Sequence, residues 1–311
     1  MRALVVGADG FVGTHLVPHL RELGDTVIEG VGPHSEAGAG RVPLDVRDAD
    51  AVGRLVHEAL PDAIYHLAAV AYGPDASRDL ATAIGVTVGG TANVLEAAAS
   101  LPARPIVLIT GSSEVYGAPA VERIDETVPS RPVSLYGATK LAQEALALTF
   151  GRVRDLPVVA TRSFNHIGPG QRPPFAIASF AHQLRSIAAG DAEPVLRVGN
   201  LDSSRDFSDV RDVVRAYRLL VSGGHTGEPI NVASGAGRSI RSVVDALVQA
   251  SGLWVSIEVD PSRVRSDDPP RIVGDAGRLQ LLTGWQPSIP IEQTLVDIWA
   301  SATAPAPAAP G

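Results

Sequence analysis

Tyr136 and Lys140 have the types and the spacing of a proton-transfer pair. They lie four positions apart in a segment of helical character, so both side chains share one helix face. A phenol with an unperturbed pKa of about 10 is a poor base at neutral pH, and a neighbouring ammonium favours its ionised form. The pair can therefore exchange a proton with a substrate oxygen, unless it is only a surface tyrosine and lysine.

Lys140 is the single lysine of the chain, although lysine and arginine together number 26. The sequence thus uses arginine wherever a generic cation suffices. A planar, always-charged guanidinium cannot replace a compact, rotatable ammonium. We therefore expect position 140 to require an ammonium.

Ser112 and Glu114 follow an apolar run that ends at Thr110. If this run is a strand of a doubly wound sheet, both residues lie at the carboxyl edge, where such folds bind ligands. The Ser112 hydroxyl can there orient the reacting oxygen toward Tyr136, although a lone strand-end serine is more often a turn residue. Three roles stay open for Glu114: a base for a carbon-bound proton, a ligand of a substrate hydroxyl, or a solvated turn residue.

A glycine-rich loop directly follows the first apolar run and opens an amphipathic segment: Gly7-Ala8-Asp9-Gly10-Phe11-Val12-Gly13. Its glycines permit a tight turn and let backbone N–H groups approach a pyrophosphate, which a helix N-terminus favours electrostatically. In this strand–turn–helix context the loop predicts a dinucleotide site rather than a plain turn. The predicted contacts are Gly7, Gly10, Phe11, Val12 and Gly13. An oxidised nicotinamide nearby would favour the Tyr136 phenolate further.

Asp45 and Val46 follow a short strand-like stretch. The Asp45 carboxylate can accept a hydrogen bond from an adenine amino group, or it is a solvated loop residue. Discrimination between NAD and NADP is expected at the end of the second strand. Glu29 lies at about the expected distance from the glycines, but by register Val31 ends the second strand. The predicted cofactor is therefore NAD(P)(H) without an assigned preference.

Apolar runs alternate with helix-like segments through the first half of the chain. Strands are predicted at residues 4–6, 26–31, 63–67, 105–110 and 157–161, and helices at 15–23, 49–59, 76–100 and 135–150. Because the strands are apolar on both faces, the alternation predicts an α/β fold with a doubly wound parallel Rossmann sheet.

Beyond about residue 162 proline and glycine become more frequent and the strands shorter. Helices are predicted at 175–189, 210–221 and 240–250, within a smaller C-terminal α/β substrate-binding region. The predicted domains are a dinucleotide-binding domain over 1–165 with return segments near 205–233, and a mainly substrate-binding region over 166–302. An Ala/Pro tail over 303–311 is predicted to be disordered.

Composition narrows the possible functions. The 311 residues, 45% of them hydrophobic, can bury a sizeable core, and a net charge of -8 argues against a nucleic-acid partner. The lack of cysteine excludes disulfides and cysteine catalysis, and the scattered histidines indicate no metal site. No apolar run of about 18 residues and no signal peptide are evident, so we expect no membrane partner and a cytoplasmic location.

Together the glycine loop, Ser112 and the Tyr136–Lys140 pair resemble the extended short-chain dehydrogenase/reductase superfamily of nucleotide-sugar enzymes, over nearly the whole chain. The most specific stretch is Arg162-Ser163-Phe164-Asn165-His166-Ile167-Gly168-Pro169-Gly170-Gln171. It is similar to GDP-mannose 4,6-dehydratases and even more to GDP-4-keto-6-deoxy-mannose reductases. The resemblance implies a nucleotide-sugar substrate.

The resemblance also implies binding roles that the residue pattern alone does not assign. It places cofactor contacts at Leu67, Ala68 and Ala69. It places substrate contacts at Ser113, Asn165, Arg205 and Arg265. The two arginines match diphosphate contacts of the family, which suits their forked donors, although a surface ion pair is the alternative for each.

Three reactions share a scaffold of this kind. A reductase needs Tyr136 to protonate a 4-keto oxygen as hydride reaches the carbon. A 4,6-dehydratase also needs a base for the C5 proton, which would be Glu114, and a 4-epimerase must let a keto intermediate rotate. The chain is short for the dehydratases and lacks their arginine-rich loop after the second strand. A reductase is therefore expected, with the dehydratase, the epimerase and a non-catalytic dinucleotide-binding protein as alternatives.

Members of the superfamily commonly pair two helices of each subunit in a four-helix interface. The matching helices here are those predicted at 76–100 and 135–150. The resemblance therefore implies a homodimer, although an apolar stripe on these helices is equally typical of ordinary core.

Overall fold

The computed structural model describes residues 1–264 and 269–303. The strands within these ranges are β1 (Arg2–Val6), β2 (Thr26–Val31), β3 (Arg41–Pro43), β4 (Ala63–His66), β5 (Ile106–Ser112), β6 (Val158–Ser163), β7 (Asn165–Ile167), β8 (Val195–Val198), β9 (Ser204–Asp209), β10 (Pro229–Val232), β11 (Gly237–Ser239), β12 (Ser256–Val259) and β13 (Arg271–Ile272).

The α-helices of the same ranges are α1 (Phe11–Glu22), α2 (Ala49–Ala59), α3 (Gly73–Arg78), α4 (Leu80–Ile84), α5 (Gly90–Ala99), α6 (Leu135–Arg154), α7 (Ala176–Ala188), α8 (Val210–Gly223), α9 (Ile240–Ser251), α10 (Gly277–Thr283) and α11 (Ile291–Thr303). A π-helical turn at Gly85–Gly89 joins α4 to α5, and short 3-10 turns lie at Ser113–Tyr116 and Pro261–Arg263.

The large sheet is parallel and has the strand order β10-β6-β5-β4-β1-β2-β3. Strand β1 pairs with β2 on one side and with β4 on the other, so the strand order reverses beside β1. Doubly wound sheets bind ligands at this reversal, because the loops on either side of it diverge and leave a crevice. The predicted α/β fold with a parallel Rossmann sheet is confirmed.

Strand β1 contributes side chains to two separate cores. Ala3 and Val5 pack with residues of α1 and α8, whereas Leu4 and Val6 pack with residues of α2 and α5. All four are buried. A strand covered by helices on both faces has a continuous apolar sequence, and this is why β1 could be predicted from the sequence.

A second region follows β6. Strands β7, β9, β11 and β13 form a small mixed sheet, and β8 pairs with β12. Helices α7, α9 and α11 pack together over a core that includes Leu184, Leu247 and Leu295. Strand β10 returns to the large sheet beside β6, which ties the two regions together.

The single helix predicted over 76–100 is wrong, because the chain forms α3, α4, the π-helical turn and α5 there. Asp79 leaves the helical conformation, with φ -135° and ψ 80°, and its carboxylate accepts a hydrogen bond of 3.0 Å from the backbone N–H of Thr82. An aspartate in this position caps a new helix, so α3 ends where α4 begins.

The helical stretch Leu80–Ala99 is long and apolar enough to cross a bilayer by length and composition, with a mean hydropathy of 1.2. The expectation that no such run exists was therefore wrong. Core helices of globular proteins pass the same test, and the α5 part of this stretch packs against α2 and α6. The finding is weak evidence for a membrane span.

Candidate active site

A cavity of about 1440 Å³ opens at the carboxyl edge of the large sheet. The loops after β1, β2, β4 and β5 line it on the side of the large sheet, and β7 and α7 line it from the second region. Typical small-molecule pockets have volumes of roughly 300–1,000 Å³. The cavity is therefore large enough for a dinucleotide together with a second ligand.

The glycine loop lies at the strand-order reversal and lines the cavity with all five predicted contacts. Gly7 has φ +89°, and a Cβ atom there would lie 2.9 Å from the Ala68 nitrogen. A Cβ atom on Gly13 would lie 2.5 Å from the carbonyl oxygen of Gly7. Gly10 is the N-cap of α1 without a side-chain capping bond, so the first N–H groups of α1 remain available to a phosphate.

The remaining predicted cofactor contacts also line the cavity: Asp45, Val46, Leu67, Ala68 and Ala69. The Asp45 carboxylate is held by the Arg47 guanidinium, with Nε 2.9 Å from Oδ1 and Nη2 2.6 Å from Oδ2. These hydrogen bonds hold the pKa of Asp45 below its usual value. Because the carboxylate already has this partner, an adenine amino group would have to share it.

Glu29 lies inside β2 and does not reach the cavity. Its carboxylate is buried and forms ion pairs with Arg21 at 2.7 Å and Arg41 at 3.6 Å. The register argument is consistent with this placement, since Val31 and not Glu29 ends the strand.

Ser112, Glu114 and Tyr136 come together where β5 and α6 meet, and all three line the cavity. The Ser112 hydroxyl accepts a hydrogen bond of 3.2 Å from the backbone N–H of Glu114. Ser134 caps α6 by accepting from the Gly137 N–H at 3.0 Å, and its hydroxyl donates to the Glu114 carboxylate at 2.6 Å. The helix cap thus fixes both the start of α6, which carries Tyr136, and the position of Glu114.

Desolvation of the Tyr136 hydroxyl raises its pKa, and the nearby Glu114 carboxylate raises it further. A hydrogen bond with Ser112 acts in the opposite direction without reversing the effect. The expectation that Lys140 and an oxidised nicotinamide favour the phenolate stays a prediction, while burial and Glu114 favour the protonated hydroxyl. Tyr136 is a neutral phenol at neutral pH and is suited to donate a proton.

Lys140 is 3% exposed and lies one helical turn after Tyr136. Its Nζ donates hydrogen bonds to the Thr110 carbonyl oxygen at 2.8 Å and to Gln143 Oε1 at 3.1 Å. Burial lowers the pKa of Lys140 to about 7. The side chain is held by two neutral oxygens.

A buried polar chain continues from Lys140 and was missed by the sequence reasoning. Gln143 Nε2 donates to Thr91 Oγ1 at 2.8 Å, and Thr91 Oγ1 donates to the Thr87 carbonyl oxygen at 2.6 Å. His66 Nε2 lies 3.0 Å from Thr91 Oγ1 and must be the donor, because the hydroxyl proton is already used. Burial, helped by the charge of Lys140, holds the pKa of His66 down at about 3, so the ring is neutral.

The predicted substrate contacts have different outcomes. Asn165 in β7 and Arg205 in β9 line the cavity, and the Arg205 guanidinium also donates to the Ser204 carbonyl oxygen at 2.8 Å. Ser113 is buried and does not line the cavity, because it opens a 3-10 turn that packs into the core, so a direct substrate contact is not supported there. Arg265 lies outside the described residues.

Two aromatic residues of the cavity wall were also missed. The rings of Tyr72 and Phe175 meet edge to face, with their centroids 5.6 Å apart, and both residues line the cavity. They come from separate loops, before α3 and before α7, so no sequence spacing connects them.

Comparison with known proteins gives consistent results. Residues 4–298 match the family model for GDP-mannose 4,6 dehydratase. The chain is 38% identical over 298 residues to the GDP-6-deoxy-D-mannose reductase of Pseudomonas aeruginosa, with 94% of each chain covered. It is 30% identical to a UDP-glucose 4-epimerase of Mycolicibacterium smegmatis, covering 94% of this chain and 96% of the relative.

Solved structures agree over almost the full length. The structure of RMD from Pseudomonas aeruginosa complexed with NADPH matches with a TM-score of 0.85 and 36% identity, covering 97% of this chain and 99% of the other. The Thermus thermophilus UDP-glucose 4-epimerase in complex with NAD matches with a TM-score of 0.85 and 28% identity, at the same coverage.

Proposed function

The chain belongs to the GDP-mannose 4,6-dehydratase family, and we propose that within it the protein is a nucleotide-sugar reductase. It transfers a hydride from NAD(P)H to the C4 keto group of a GDP-4-keto-6-deoxy-hexose. The observation that carries this proposal is the meeting of Ser112, Tyr136 and Lys140 in one cavity with the glycine loop. The 38% identity to a GDP-6-deoxy-D-mannose reductase supports reduction over 4,6-dehydration and 4-epimerisation.

The cofactor side of the cavity fits a dinucleotide. The first turn of α1 has no side-chain cap, and Gly7 and Gly13 permit backbone packing that a Cβ atom would block. A pyrophosphate at this helix end would be bound by N–H groups and by the positive end of the helix dipole. When bound, NAD(P)H supplies the hydride.

Tyr136 acts as the acid in this proposal. It gives its phenolic proton to the C4 oxygen of the substrate while that carbon is reduced. The Ser112 hydroxyl donates a hydrogen bond to the same oxygen, and the Lys140 ammonium offsets the charge left on the phenolate. The raised pKa of Tyr136 is consistent with this direction, because the proton is present before the reaction begins.

The substrate is held from the second region. We assign Asn165 and Arg205 to the nucleotide-sugar side, because both line the cavity from the small sheet. Arginine forks suit the oxygens of a diphosphate. The same role for Arg265 rests on the family resemblance.

The test uses purified protein, GDP-4-keto-6-deoxy-mannose and either NADH or NADPH, with the product analysed by mass spectrometry. A reductase adds two hydrogens to the sugar and consumes the cofactor. Tyr136→Phe should lower kcat by about 100-fold or more, because the proton donor is lost. Tyr65→Phe is the matched control, since the Tyr65 hydroxyl is buried in the core without a partner among the described residues.

A 4,6-dehydratase is the second candidate, and the position of Glu114 supports it. Its carboxylate lines the cavity beside Tyr136 and is held at 2.6 Å by Ser134, where a base for the C5 proton could act. Incubation with GDP-mannose tests it. Loss of water without net cofactor consumption, abolished in Glu114→Gln, would replace the reductase with the dehydratase.

The assembly and location form part of the same proposal. We propose a homodimer that pairs α6 and the helical stretch Leu80–Ala99 of two subunits. On these elements Leu80, Ile84 and Val153 are exposed apolar side chains. Light scattering at micromolar concentration distinguishes a dimer from a monomer. We also propose a cytoplasmic location, which fractionation of cells that produce the protein would test.

A further inference from the structure

Asp9, inside the glycine loop, reaches across to the loop that follows β2. Its Oδ1 and Oδ2 atoms lie 3.1 and 3.0 Å from the backbone nitrogen of Gly32, which donates to them. Oδ2 also accepts a hydrogen bond of 2.5 Å from the Ser35 hydroxyl. Asp9 is exposed and, with Gly32, lines the cavity. A carboxylate thus stands at the carboxyl end of β2, although no residue of β2 supplies it.

The end of β2 is where a dinucleotide fold receives the adenosine ribose. An acidic residue there accepts a hydrogen bond from the 2′-hydroxyl of NAD, whereas an arginine accommodates the 2′-phosphate of NADP. We infer that Asp9 fills the acidic role from the glycine loop and makes this enzyme prefer NAD(H) to NADP(H). The inference rests on the proposed function only in taking a nicotinamide dinucleotide as the cofactor.

The contacts of Asp9 disfavour a 2′-phosphate in two ways. The carboxylate and the phosphate carry like charges and repel each other at short range. The Gly32 N–H, which could otherwise donate to a phosphate oxygen, already donates to Asp9. Although partial burial opposes ionisation, the hydrogen bonds from Ser35 and Gly32 hold the pKa of Asp9 below its usual value, so the charge is present at neutral pH.

Arginines near the end of β2 are already paired with carboxylates. Arg41, whose charge also favours ionised Asp9, lies 3.6 Å from the Glu29 carboxylate. Arg47 holds Asp45 through two nitrogens. Drawing Arg47 to a phosphate would break its ion pair with Asp45, and drawing Arg41 away would leave Glu29 paired with Arg21 alone.

The relatives were solved with different cofactors, one with NADPH and another with NAD, and so do not assign a preference to this chain. The preference of this chain must therefore come from its own residues. At the end of β2 the Asp9 carboxylate lines the cavity, and Asp45 and Arg47 line it nearby as an ion pair.

Titration of the purified protein with each cofactor alone tests the inference, with cofactor fluorescence or calorimetry as the readout. We expect NADH to bind at least about tenfold more tightly than NADPH, as repulsion between close charges near a protein surface allows. Asp9→Asn should remove most of this ratio by tightening NADPH binding and weakening NADH binding. Asp9→Ser, which keeps a small polar side chain, serves as a second variant if the asparagine disturbs the loop. Asp50→Asn is the matched control, because Asp50 is exposed on α2 and does not line the cavity.

Equal or tighter binding of NADPH by the unmodified protein would overturn the inference. So would an NADH preference that both Asp9 variants retain, because another residue would then set it. The proposed function fails in a different way: the keto sugar stays unreduced with either cofactor while the ratio of the two dissociation constants is unchanged.

Discussion

Lys140 should make the stability of the folded chain depend on pH. Burial lowers its pKa from the ordinary 10.5 to about 7. Between these two values the unfolded chain binds a proton that the folded chain has released, so the folded state gains stability as the pH rises. The difference between 10.5 and about 7 is roughly 3.5 units, which at 1.36 kcal/mol per unit gives about 5 kcal/mol. About half of this falls between pH 7 and pH 9.

Lys140→Met removes the titrating group and retains much of the side-chain length. Urea unfolding of both proteins without cofactor, at pH 7, 8 and 9, gives the free energy of unfolding of each. The difference, unmodified protein minus variant, should rise by about 2 kcal/mol over this range. The variant also leaves the Thr110 carbonyl and Gln143 Oε1 without their donor, at roughly 1–3 kcal/mol each, but that loss is independent of pH and does not change the slope. A flat difference would refute the reasoning, because Lys140 would then titrate alike in both states.

Two further substitutions test the cavity. Gly13→Ala places a Cβ atom 2.5 Å from the carbonyl oxygen of Gly7, so we expect cofactor affinity, measured by fluorescence titration, to fall by at least about tenfold. Gly53→Ala is the control, because a Cβ atom there meets no atom within 4 Å, and it should bind the cofactor normally. Equal losses of affinity in both variants would contradict the role given to the glycine loop. Ser112→Ala should lower kcat for keto-sugar reduction by about 10- to 100-fold, because the hydrogen bond to the reacting oxygen is lost, and an unchanged kcat would exclude Ser112 from catalysis. Ser113→Ala should keep the KM of the unmodified enzyme, since Ser113 is buried outside the cavity.

Local signals accounted for the parts of the fold and site that the sequence predicted. Strand β1 could be recognised because Ala3, Leu4, Val5 and Val6 are buried on both faces of one sheet. The glycine loop is likewise a contiguous segment, and its turn, helix start and close packing follow from a few adjacent residues. The spacing that joins Tyr136 to Lys140 spans a single helical turn.

The features that the sequence did not reveal depend on contacts between distant segments. Asp9 meets Gly32 across 23 positions, and Gln143 meets Thr91 across 52, so neither contact produces a local pattern. The break at Asp79 was missed for a different reason. Apolar and small residues on both sides favour one continuous helix, and a single capping aspartate decides against it.

Comparison with a second buried cation explains why the only lysine of the chain stands at position 140. Arg162 is also buried, but its guanidinium is held by the Glu144 carboxylate at 2.6 and 2.8 Å, and this pairing outweighs burial and raises its pKa. Lys140 is given only neutral oxygens among the described residues, those of Thr110 and Gln143. A guanidinium in that place would stay ionised without a counter-charge, whereas an ammonium can lose its proton. Lysine therefore suits these neutral surroundings better than arginine, because its pKa can fall to about 7 there.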